Sequence, residues 1–470
     1  MPALAPNDLF TILPALLLSL FGCALLVLRF DSPSFPVLLL TAAEALAAAA
    51  LWRQSGFLGL TGFSGAILID SFGLLLNTVC LAAALLVAWG AYAHLARLGE
   101  DHPEFYSLLL LAQAGMFLMI AGTELITVFI GLELSGICLY TLTGFHRDNP
   151  RSSEAALKYV LLGAFSSGLL LYGFSLLYGL SGSTHYPVIA RALASHSPSE
   201  PIILLAVVPL VLGLLFKVAA APLHLWAPDA YDGAPTPATA FLATAGKAAS
   251  FGLLLRLLVG PLHDLRPVWD GLILFAALAS LTLGNLSALT QSSAKRLLAW
   301  SSIGHSGYLL LGLVAANRSG IEAILLYLLV YTLMTAGAFL LLAGLDREGI
   351  TDFRGLLWRH PGVSLLLVIL LVSLAGLPPT AGFIAKYTIF LSLLQAQKFA
   401  LAVVAALYVA VSLYFYFRLL REIITPSGPT PPTLTLSTGW RAAVGLAALL
   451  SLTLGLYPEP ILTWARSTLP

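Results

Sequence analysis

Charged residues are scarce in this 470-residue chain. Lys, Arg, Asp and Glu together make up 10% of it, whereas soluble domains contain about 25%. Hydrophobic residues make up 59%, so the composition predicts a protein embedded in the lipid bilayer. The formal net charge is only +1, which gives no reason to expect nucleic acid as a partner.

Cysteine is also scarce, and the usual cofactor motifs are missing. Cys23, Cys80 and Cys138 lie far apart in apolar runs, which excludes a readable disulfide framework or metal-ligand spacing. The sequence contains no phosphate-loop, zinc or dinucleotide-binding motif, and no Cys or His cluster that could hold an iron–sulfur cluster or haem. We therefore expect no cofactor in this chain and expect any associated redox chemistry to take place elsewhere.

Long apolar runs fill most of the chain. Because a helix needs about 20 apolar residues to cross a bilayer, the sequence predicts an all-α membrane protein with about fourteen spans and no soluble domain. The predicted spans cover residues 9–29, 35–52, 72–95, 105–122, 125–144, 155–180, 202–226, 237–259, 268–289, 296–315, 321–345, 363–396, 400–420 and 440–465. The distribution of Lys and Arg among the loops places both termini outside a bacterial inner membrane.

Two of these spans contain strong helix breakers. Pro222 and the sequence APDAYDGAPTP interrupt the seventh span, and AGLPPTAGF interrupts the twelfth. Irregular backbone at membrane depth is tolerated only where protein or a water-filled cavity satisfies it. Broken helices at corresponding places are typical of transporters built from inverted repeats. We therefore predict N-terminal spans over 1–104, five-helix repeats over 105–262 and 263–424, and a C-terminal span over 425–470.

Lysine and arginine are distributed differently along the chain. The arginines fall in loops or near helix ends, whereas Lys158, Lys217, Lys247 and Lys386 fall within predicted spans. Arginine stays protonated in proteins, but a buried lysine can release its proton. The pattern therefore indicates intramembrane groups that exchange protons.

Some of these lysines also have a purely structural interpretation. Lys158 follows Glu154 by one helical turn, so the two could form an ion pair near the membrane surface. Lys386 could cap carbonyl groups freed by the break in the twelfth span. Lys217 and Lys247 lie deep in their spans, where an unpaired charge is costly, and a structural role explains them less well.

The remaining candidates are acids and histidines within spans. Glu133, in FIGLELSGICLY, is expected to have a lysine partner, either for proton transfer or in a static ion pair. Glu44 has no surrounding motif, so function and packing both stay open for it. His224 and His305 could relay protons or could simply be hydrogen-bonded to neighbouring helices.

Several segments carry a resemblance to a known family. GLELSGICLYTLTGF, RSSEAALKYVLLGAFSSGLLLYGFSLLYG, KVAAAPLHLWAPDAYDGAPTPATAFLATAGKAA and RLLAWSSIGHSGYLLLGL resemble the N subunits of bacterial proton-pumping NADH:quinone oxidoreductase (respiratory complex I), the counterparts of mitochondrial subunit 2. The resemblance extends over residues 70–420. The wider family includes the L and M subunits and Mrp-type sodium/proton antiporter subunits. The N form is favoured by WAPDAYDGAPTP followed by FLATAGKAA, and by a lysine in the twelfth span where M-type chains have a glutamate.

The resemblance implies roles for individual residues. Glu133 and Lys217 match the paired glutamate and lysine of a first half-channel. Lys247 matches the central lysine that joins the two halves, and Lys386 matches the lysine of the second half-channel. On this resemblance, Glu133 favours the protonated form of Lys217 while the two are close. If a charge change in a neighbouring subunit draws Glu133 away, we expect Lys217 to release its proton.

Three further residues and the partners also follow from the resemblance. Lys158 matches a further family lysine, and His224 and His305 match histidines of the hydrophilic axis. NADH, FMN, iron–sulfur clusters and quinone are expected in partner subunits. The expected partners are the M-type antiporter-like subunit, the small K-, J- and A-type subunits and the lipid bilayer. A separate Mrp-type cation/proton antiporter subunit and a structural scaffold within the complex are the alternatives.

Overall fold

The structure, a computed structural model, describes residues 6–28, 34–345, 348–426, 434 and 437–468. Helices dominate these residues, and the only strands among them form one short hairpin. The predicted all-α fold class is therefore confirmed. The end of the first predicted span and part of the segment before the last one lie outside the described residues.

The helices divide at the first break in the chain. The helices before it are α1 (Pro6–Thr11), α2 (Leu13–Val27), α3 (Phe35–Gln54), α4 (Ser71–Leu98), α5 (Pro103–Ala121), α6 (Leu125–Thr143), α7 (Pro150–Ser181), α8 (Tyr186–Leu193) and α9 (Pro201–Lys217). The helices after it are α10 (Trp226–Gly233), α11 (Thr236–Phe241), α12 (Lys247–Val259), α13 (Arg266–Leu289), α14 (Ala294–Ala315), α15 (Arg318–Ala343), α16 (Leu356–Arg359), α17 (Pro361–Ala375), α18 (Ala381–Gln395), α19 (Phe399–Ile424), α20 (Thr438–Leu456) and α21 (Glu459–Ser467).

The long helices have the composition of membrane spans. Within the described residues, 11 helical segments are long and apolar enough to cross a bilayer. Four further apolar helices, α2, α9, α17 and α18, have only 10–17 residues. Length alone therefore does not establish the predicted number of spans, which stays a prediction, as do the predicted repeat boundaries.

Both predicted breaks are present in the backbone. Residues 218–225 separate the end of α9 from the start of α10, and residues 376–380 separate α17 from α18. Proline cannot donate a backbone hydrogen bond, which explains why neither helix continues. A third irregularity was not predicted: Leu242–Gly246 form a π-helical turn between α11 and α12. Such turns are rare and are frequent at functional sites.

The centre of the bundle is the pair α14 and α15, in which nearly every residue is buried. Glycine allows α13 to approach this pair closely, since a Cβ atom on Gly284 would lie 2.4 Å from the backbone nitrogen of Gly304. Helix α14 is not uniformly apolar, because Ser302, His305 and Ser306 are buried within it. The most enclosed helix therefore also carries buried polar groups, which must be hydrogen-bonded by their neighbours.

A salt bridge fastens one end of the bundle. The hairpin of β1 (Thr61–Gly62) and β2 (Ile67–Leu68) leads into α4, where the Asp70 carboxylate accepts a hydrogen bond from the backbone nitrogen of Gly73 at 2.7 Å. The two Asp70 oxygens also accept from Arg256 Nη1 and Nη2 at 2.9 Å each. This bidentate geometry is the strongest form of an arginine–carboxylate pair, and it joins α4 to α12.

We predict that Asp70→Asn lowers the free energy of unfolding by about 2–4 kcal/mol, because Arg256 then lacks a counter-charge. Asparagine is itself a good helix N-cap, so the change isolates the ion pair. Thermal melting of the protein purified in detergent measures the effect. Asp270→Asn is the control, since its partner Arg266 is 35% exposed whereas Arg256 is 9% exposed, and loss of this more exposed pair should cost under about 1 kcal/mol. Equal melting temperatures for both variants would contradict the prediction.

Candidate functional site

The first break leaves Lys217 at the last position of α9. The backbone then follows an irregular course, with Ala219 at a φ of 54°, before α10 begins at Trp226. Lys217 Nζ donates a hydrogen bond to Ser167 Oγ of α7 at 3.4 Å. The lysine therefore lies where one helix ends inside the bundle, and a neighbouring helix supplies a partner for its ammonium group.

Ser167 also connects Lys217 to Glu133 of α6. The serine hydroxyl donates to Glu133 Oε1 at 2.5 Å. Within the described residues no direct ion pair joins the glutamate and the lysine at 4 Å or less. The predicted association of Glu133 with Lys217 is thus indirect, through one hydroxyl group.

A small cavity lies between Lys217 and Lys247. Its volume is about 30 Å³, and its lining includes both lysines together with Ser135, Tyr159 and Ser250. A buried water needs about 10–15 Å³ and two to four polar partners. The cavity therefore has space for one or two water molecules between the two lysines.

Lys247 follows the π-helical turn directly and is 2% exposed. Its Nζ donates to the Ser302 carbonyl oxygen and to Ser302 Oγ, both at 2.6 Å, and to Ser306 Oγ at 2.9 Å. It also lies 5.1 Å from the ring centroid of Tyr331, within cation–π range. An ammonium group has three donors, so all are used. In the described structure its partners are neutral oxygens and a ring, with no carboxylate among them.

The partners of Lys247 extend the hydrogen bonds in two directions. Ser306 Oγ donates to the Val218 carbonyl oxygen at 2.7 Å, so Lys247 is tied to the first break. The Tyr331 hydroxyl donates to Ser302 Oγ at 2.8 Å. Helices α12, α14 and α15 and the broken backbone therefore meet around one ammonium group.

His305 continues the polar groups along α14. Its Nδ1 lies 2.7 Å from the Tyr327 hydroxyl and its Nε2 lies 3.3 Å from the Tyr416 hydroxyl. Its ring centroid is 5.2 Å from that of Tyr331, the ring that Lys247 contacts. Both ring nitrogens have a hydroxyl partner, so the imidazole can accept a proton on one side and donate one on the other.

Lys386 is bound at the second break. Its Nζ donates to the carbonyl oxygens of Leu374 at 3.1 Å and Ala375 at 2.8 Å, and it lies 5.3 Å from the ring centroid of Tyr308. The last carbonyls of a helix have no partner within that helix. The lysine, which is 3% exposed, therefore caps α17, which is the structural role considered for it above.

The contact between His305 and Lys386 is less direct. Tyr308 lies between them, with its ring centroid 6.5 Å from that of His305, but its hydroxyl donates to the Ala405 carbonyl oxygen at 3.1 Å. The hydrogen bonds of the described side chains therefore do not run continuously from the histidine to the lysine. Proton transfer over this step requires water or a side-chain movement.

His224 lies in the irregular backbone of the first break and is 4% exposed. Its ring centroid is 5.4 Å from that of Trp300. His224 Nδ1 and Trp300 Nε1 are both buried without a hydrogen-bond partner in the part of the chain that is described. The structure thus does not connect His224 to the lysines by direct side-chain hydrogen bonds, and its role stays a prediction.

Lys158 lies apart from the buried lysines, in a cluster of charges. Its Nζ is 2.7 Å from Glu154 Oε1 and 2.9 Å from Asp229 Oδ2. Arg296 Nη2 lies 3.0 Å from Asp229 Oδ1, and Nη1 lies 3.7 Å from Asp232 Oδ2. The Lys158 side chain is 44% exposed. The structure therefore contains the ion pair with Glu154 near the surface that was the alternative interpretation of this lysine.

The hydroxyl groups that connect the lysines were not identified from the sequence. Ser167, Ser302 and Ser306 contact the ammonium groups directly. From α15, the Tyr327 hydroxyl contacts His305 and the Tyr331 hydroxyl donates to Ser302. Ser302 and Ser306 are four residues apart on α14, and Tyr327 and Tyr331 are four residues apart on α15. This spacing places the members of each pair on one helix face, and it is the signal from which the sequence could have identified them. It is a weak signal, because serine in a helix often bonds only to its own backbone.

Lys295 is another buried lysine that the sequence did not single out. It lies in the first turn of α14 and is 3% exposed. Its Nζ donates to the Ala234 carbonyl oxygen at 2.6 Å and lies 3.4 Å from Glu348 Oε1. Because its acidic partner is half exposed, this lysine marks the end of the bundle rather than its middle.

The site consists of amines, hydroxyls, an imidazole and a carboxylate. Among the residues that the structure describes, no group of three or more His, Cys, Asp or Glu side chains could hold a metal ion. These functional groups can bind and pass protons between hydrogen-bonded partners. The arrangement therefore offers proton transfer as its chemistry.

Comparison with known proteins identifies a family. Residues 122–412 match the family model described as "NADH:quinone oxidoreductase/Mrp antiporter, TM". A relative in Solibacter usitatus, NADH-quinone oxidoreductase subunit N 2, is 48% identical over 98% of both chains. NADH-quinone oxidoreductase subunit N of Moorella thermoacetica is 39% identical over 91% of this chain and 90% of the relative.

Solved structures agree in fold. A chain of respiratory complex I from Thermus thermophilus superposes with a TM-score of 0.82 at 35% identity, covering 97% of this chain and 100% of the other. A chain of the Mrp complex from Dietzia superposes with a TM-score of 0.86 at 20% identity, over 98% and 96% of the two chains. The second likeness is one of fold alone.

We predict that Gly376→Ala destabilises the second break. Gly376 has a φ of 81°, and an added Cβ would lie 2.6 Å from Cδ of Lys386. The left-handed backbone costs alanine about 1–2 kcal/mol, and displacement of the lysine from its carbonyls adds to this. Thermal melting in detergent measures the loss. Gly362→Ala in α17 is the control, because an added Cβ there meets nothing within 4 Å. A melting temperature equal to that of the control would refute the prediction.

Proposed function

The chain belongs to the family of membrane subunits of NADH:quinone oxidoreductase and Mrp antiporters, and from this premise we propose that it is the N-type proton-translocating subunit of a proton-pumping NADH:quinone oxidoreductase. In this proposal it carries no redox centre of its own. It moves protons along the buried series of Glu133, Lys217, Lys247, His305 and Lys386, driven by quinone reduction elsewhere in the complex.

The environment of Lys247 is the observation that carries this proposal. Three neutral oxygens accept its hydrogen bonds, and no carboxylate pairs with it in the described structure. Lysine held in this way can give up its proton without leaving a buried anion behind. In a structural ion pair, loss of the lysine's proton would leave the partner carboxylate buried without a counter-charge. The site therefore favours a proton carrier over a scaffold.

Control of the first transfer lies with Glu133 in this mechanism. With Ser167 between them, the carboxylate stabilises the Lys217 ammonium through one hydrogen-bonded bridge. A charge change in a neighbouring subunit that draws Glu133 away removes this stabilisation. The Lys217 proton then passes, through water in the cavity between the two lysines, to a Lys247 that has already released its own proton towards Lys386.

The second transfer leads from Lys247 to Lys386. His305 and its two tyrosine hydroxyls lie on this route, and water bridges the remaining distance beside Tyr308. Lys386 receives the proton at the carbonyls that end α17. Lys158 and His224 are proposed as further members of the pathway at its periphery, on the basis of the family resemblance.

The rest of the assembly follows from the same proposal. The chain lies in a bacterial inner membrane with both termini outside, beside an M-type antiporter-like subunit and the small K-, J- and A-type subunits. NADH, FMN, iron–sulfur clusters and quinone are bound by partner subunits. The two breaks, each followed by a further helix, support the division into repeats at 105–262 and 263–424.

The relatives favour this function over that of an Mrp-type antiporter. The Solibacter usitatus relative, which matches 98% of the chain at 48% identity, is a subunit N by name. The likeness to the Mrp complex at 20% identity reflects the fold that both groups share. Coupling to NADH oxidation rather than to sodium is therefore the stronger proposal.

We predict that Lys247→Ala abolishes NADH-driven proton uptake and reduces NADH:quinone turnover by at least about tenfold, because general acid–base groups typically contribute 10²–10⁴-fold. Membranes whose only copy carries the variant are assayed for both activities, with assembly checked on native gels. Lys398→Ala is the control: Lys398 also donates to a backbone carbonyl, that of Val314 at 2.7 Å, but lies outside the series. Normal turnover and uptake in an assembled Lys247→Ala complex would rule out the proposed pathway.

We predict that Ser167→Ala slows proton uptake by about fivefold while the complex still assembles, since one buried hydrogen-bonded bridge is lost. Ser166→Ala is a matched control in the preceding position of α7, because Ser166 Oγ donates to the Gly213 carbonyl oxygen at 3.1 Å and contacts neither Glu133 nor Lys217 within the described structure. Initial rates of NADH-driven proton uptake measure both variants. If the two variants behave alike, the serine bridge between Glu133 and Lys217 does not take part in transfer.

A further inference from the structure

Glu44 is a buried acid that the proposed pathway does not use. It lies in the middle of α3 and is 3% exposed. Among the residues that the structure describes, neither of its carboxyl oxygens has a hydrogen-bond partner. Because a lone carboxylate inside a bilayer costs several kcal/mol, the side chain needs either a cation or a proton.

The helices packed around Glu44 provide no cation. Helix α2 carries no charged residue, and the nearest titratable group of α4 is the Cys80 thiol. Helix α5 packs against α3 and places the buried side chain of Gln113, which is 2% exposed, beside Glu44. Within α2, α4 and α5 the charged residues lie only near helix ends, at Glu104, His94 and Arg97. A proton is therefore the remaining way to neutralise Glu44.

The hydrogen bonds of Gln113 indicate where that proton lies. Gln113 Nε2 donates to the Cys80 carbonyl oxygen at 3.3 Å, and this contact fixes the orientation of the amide, since a carbonyl can only accept. Gln113 Oε1 is then left buried without a donor. A protonated Glu44 satisfies both groups at once, because its O–H can donate to Gln113 Oε1.

The same contacts lead to the turn that carries Lys247. Cys80 Sγ donates to the Ala245 carbonyl oxygen at 3.7 Å, and Ala245 belongs to the π-helical turn that ends immediately before Lys247. Gln113 and Cys80 therefore link α5, α4 and this turn in series. Because Glu44 lies at one end of this series of contacts, a change at Glu44 can alter the position of the turn that carries Lys247.

We propose that Glu44 is a positioning residue for Lys247: it is a neutral carboxylic acid whose O–H donates to Gln113 Oε1, and the resulting Glu44–Gln113–Cys80 link holds the π-helical turn in place. Glu44 does not itself exchange its proton during turnover. The part of this proposal that concerns Lys247 rests on the proposed function above. The protonation of Glu44 stands independently of it.

Infrared spectroscopy of the purified whole complex tests the protonation directly. The wild-type minus Glu44→Gln difference spectrum at neutral pH should contain the carbonyl stretch of a protonated carboxyl group. In Gln113→Leu this band should persist but move to higher frequency, because the carboxyl loses its hydrogen-bond acceptor. Glu104→Gln, at an exposed position of α5, is the control and should not remove such a band. A carboxylate signature in place of the carbonyl band would overturn the proposal.

Proton uptake tests the positioning role. Glu44→Gln should keep NADH-driven proton uptake within about twofold of wild type, because the amide N–H replaces the acid O–H as donor to Gln113. Glu44→Ala should lower uptake by about fivefold, the effect of losing one buried hydrogen bond. Loss of uptake in an assembled Glu44→Gln complex would mean that Glu44 exchanges its proton, and it would overturn the proposal. If Glu44→Ala fails to assemble, the Glu44→Gln rate and the infrared bands still decide the question.

Discussion

Backbone hydrogen-bonding groups inside a bilayer must find their partners within the protein or in an enclosed water-filled cavity, because bulk water is not there to replace them. This constraint joins the two unusual features of the chain, its broken helices and its buried lysines. The break after α17 frees the carbonyls of Leu374 and Ala375, and Lys386 donates to both. The break after α9 frees the Val218 carbonyl, which accepts from the serine that also contacts Lys247. Each irregularity in the backbone is thus satisfied by the polar groups that surround the lysines.

The nature of those partners determines what each lysine can do. A buried ion pair resists the loss of either charge, because the partner would be left uncompensated. Arg256 with Asp70 has this character, and arginine stays protonated in any case. Lys247 and Lys386 instead bind neutral oxygens and lie against tyrosine rings. Their neutral forms therefore leave no orphaned anion, so a change of protonation is compatible with a fixed helix bundle.

The sequence predicted the breaks and the lysines but not their connections. Pro222 and the prolines of AGLPPTAGF act locally, so their effect on the helix is readable without a structure. The π-helical turn before Lys247 contains no proline, and its one glycine, Gly246, does not by itself predict a π turn. Ser167 is one of many helical serines, and only the fold brings it between Glu133 and Lys217. For Lys158 and Lys386, the structural alternatives predicted the observed contacts.

The two breaks differ in the groups that face their lysines, and in the proposed pathway this difference gives one end that can be controlled. Lys217 precedes its break and is connected through Ser167 to the carboxyl group of Glu133. Lys386 follows its break and faces only the carbonyl dipoles at the end of α17, which are equivalent to about half a charge. A carboxylate on a separate helix can move relative to its lysine, whereas helix carbonyls cannot move without unwinding the helix. In the proposed mechanism, the charge state of Lys217 can therefore be switched from outside, and Lys386 responds only to the proton that reaches it.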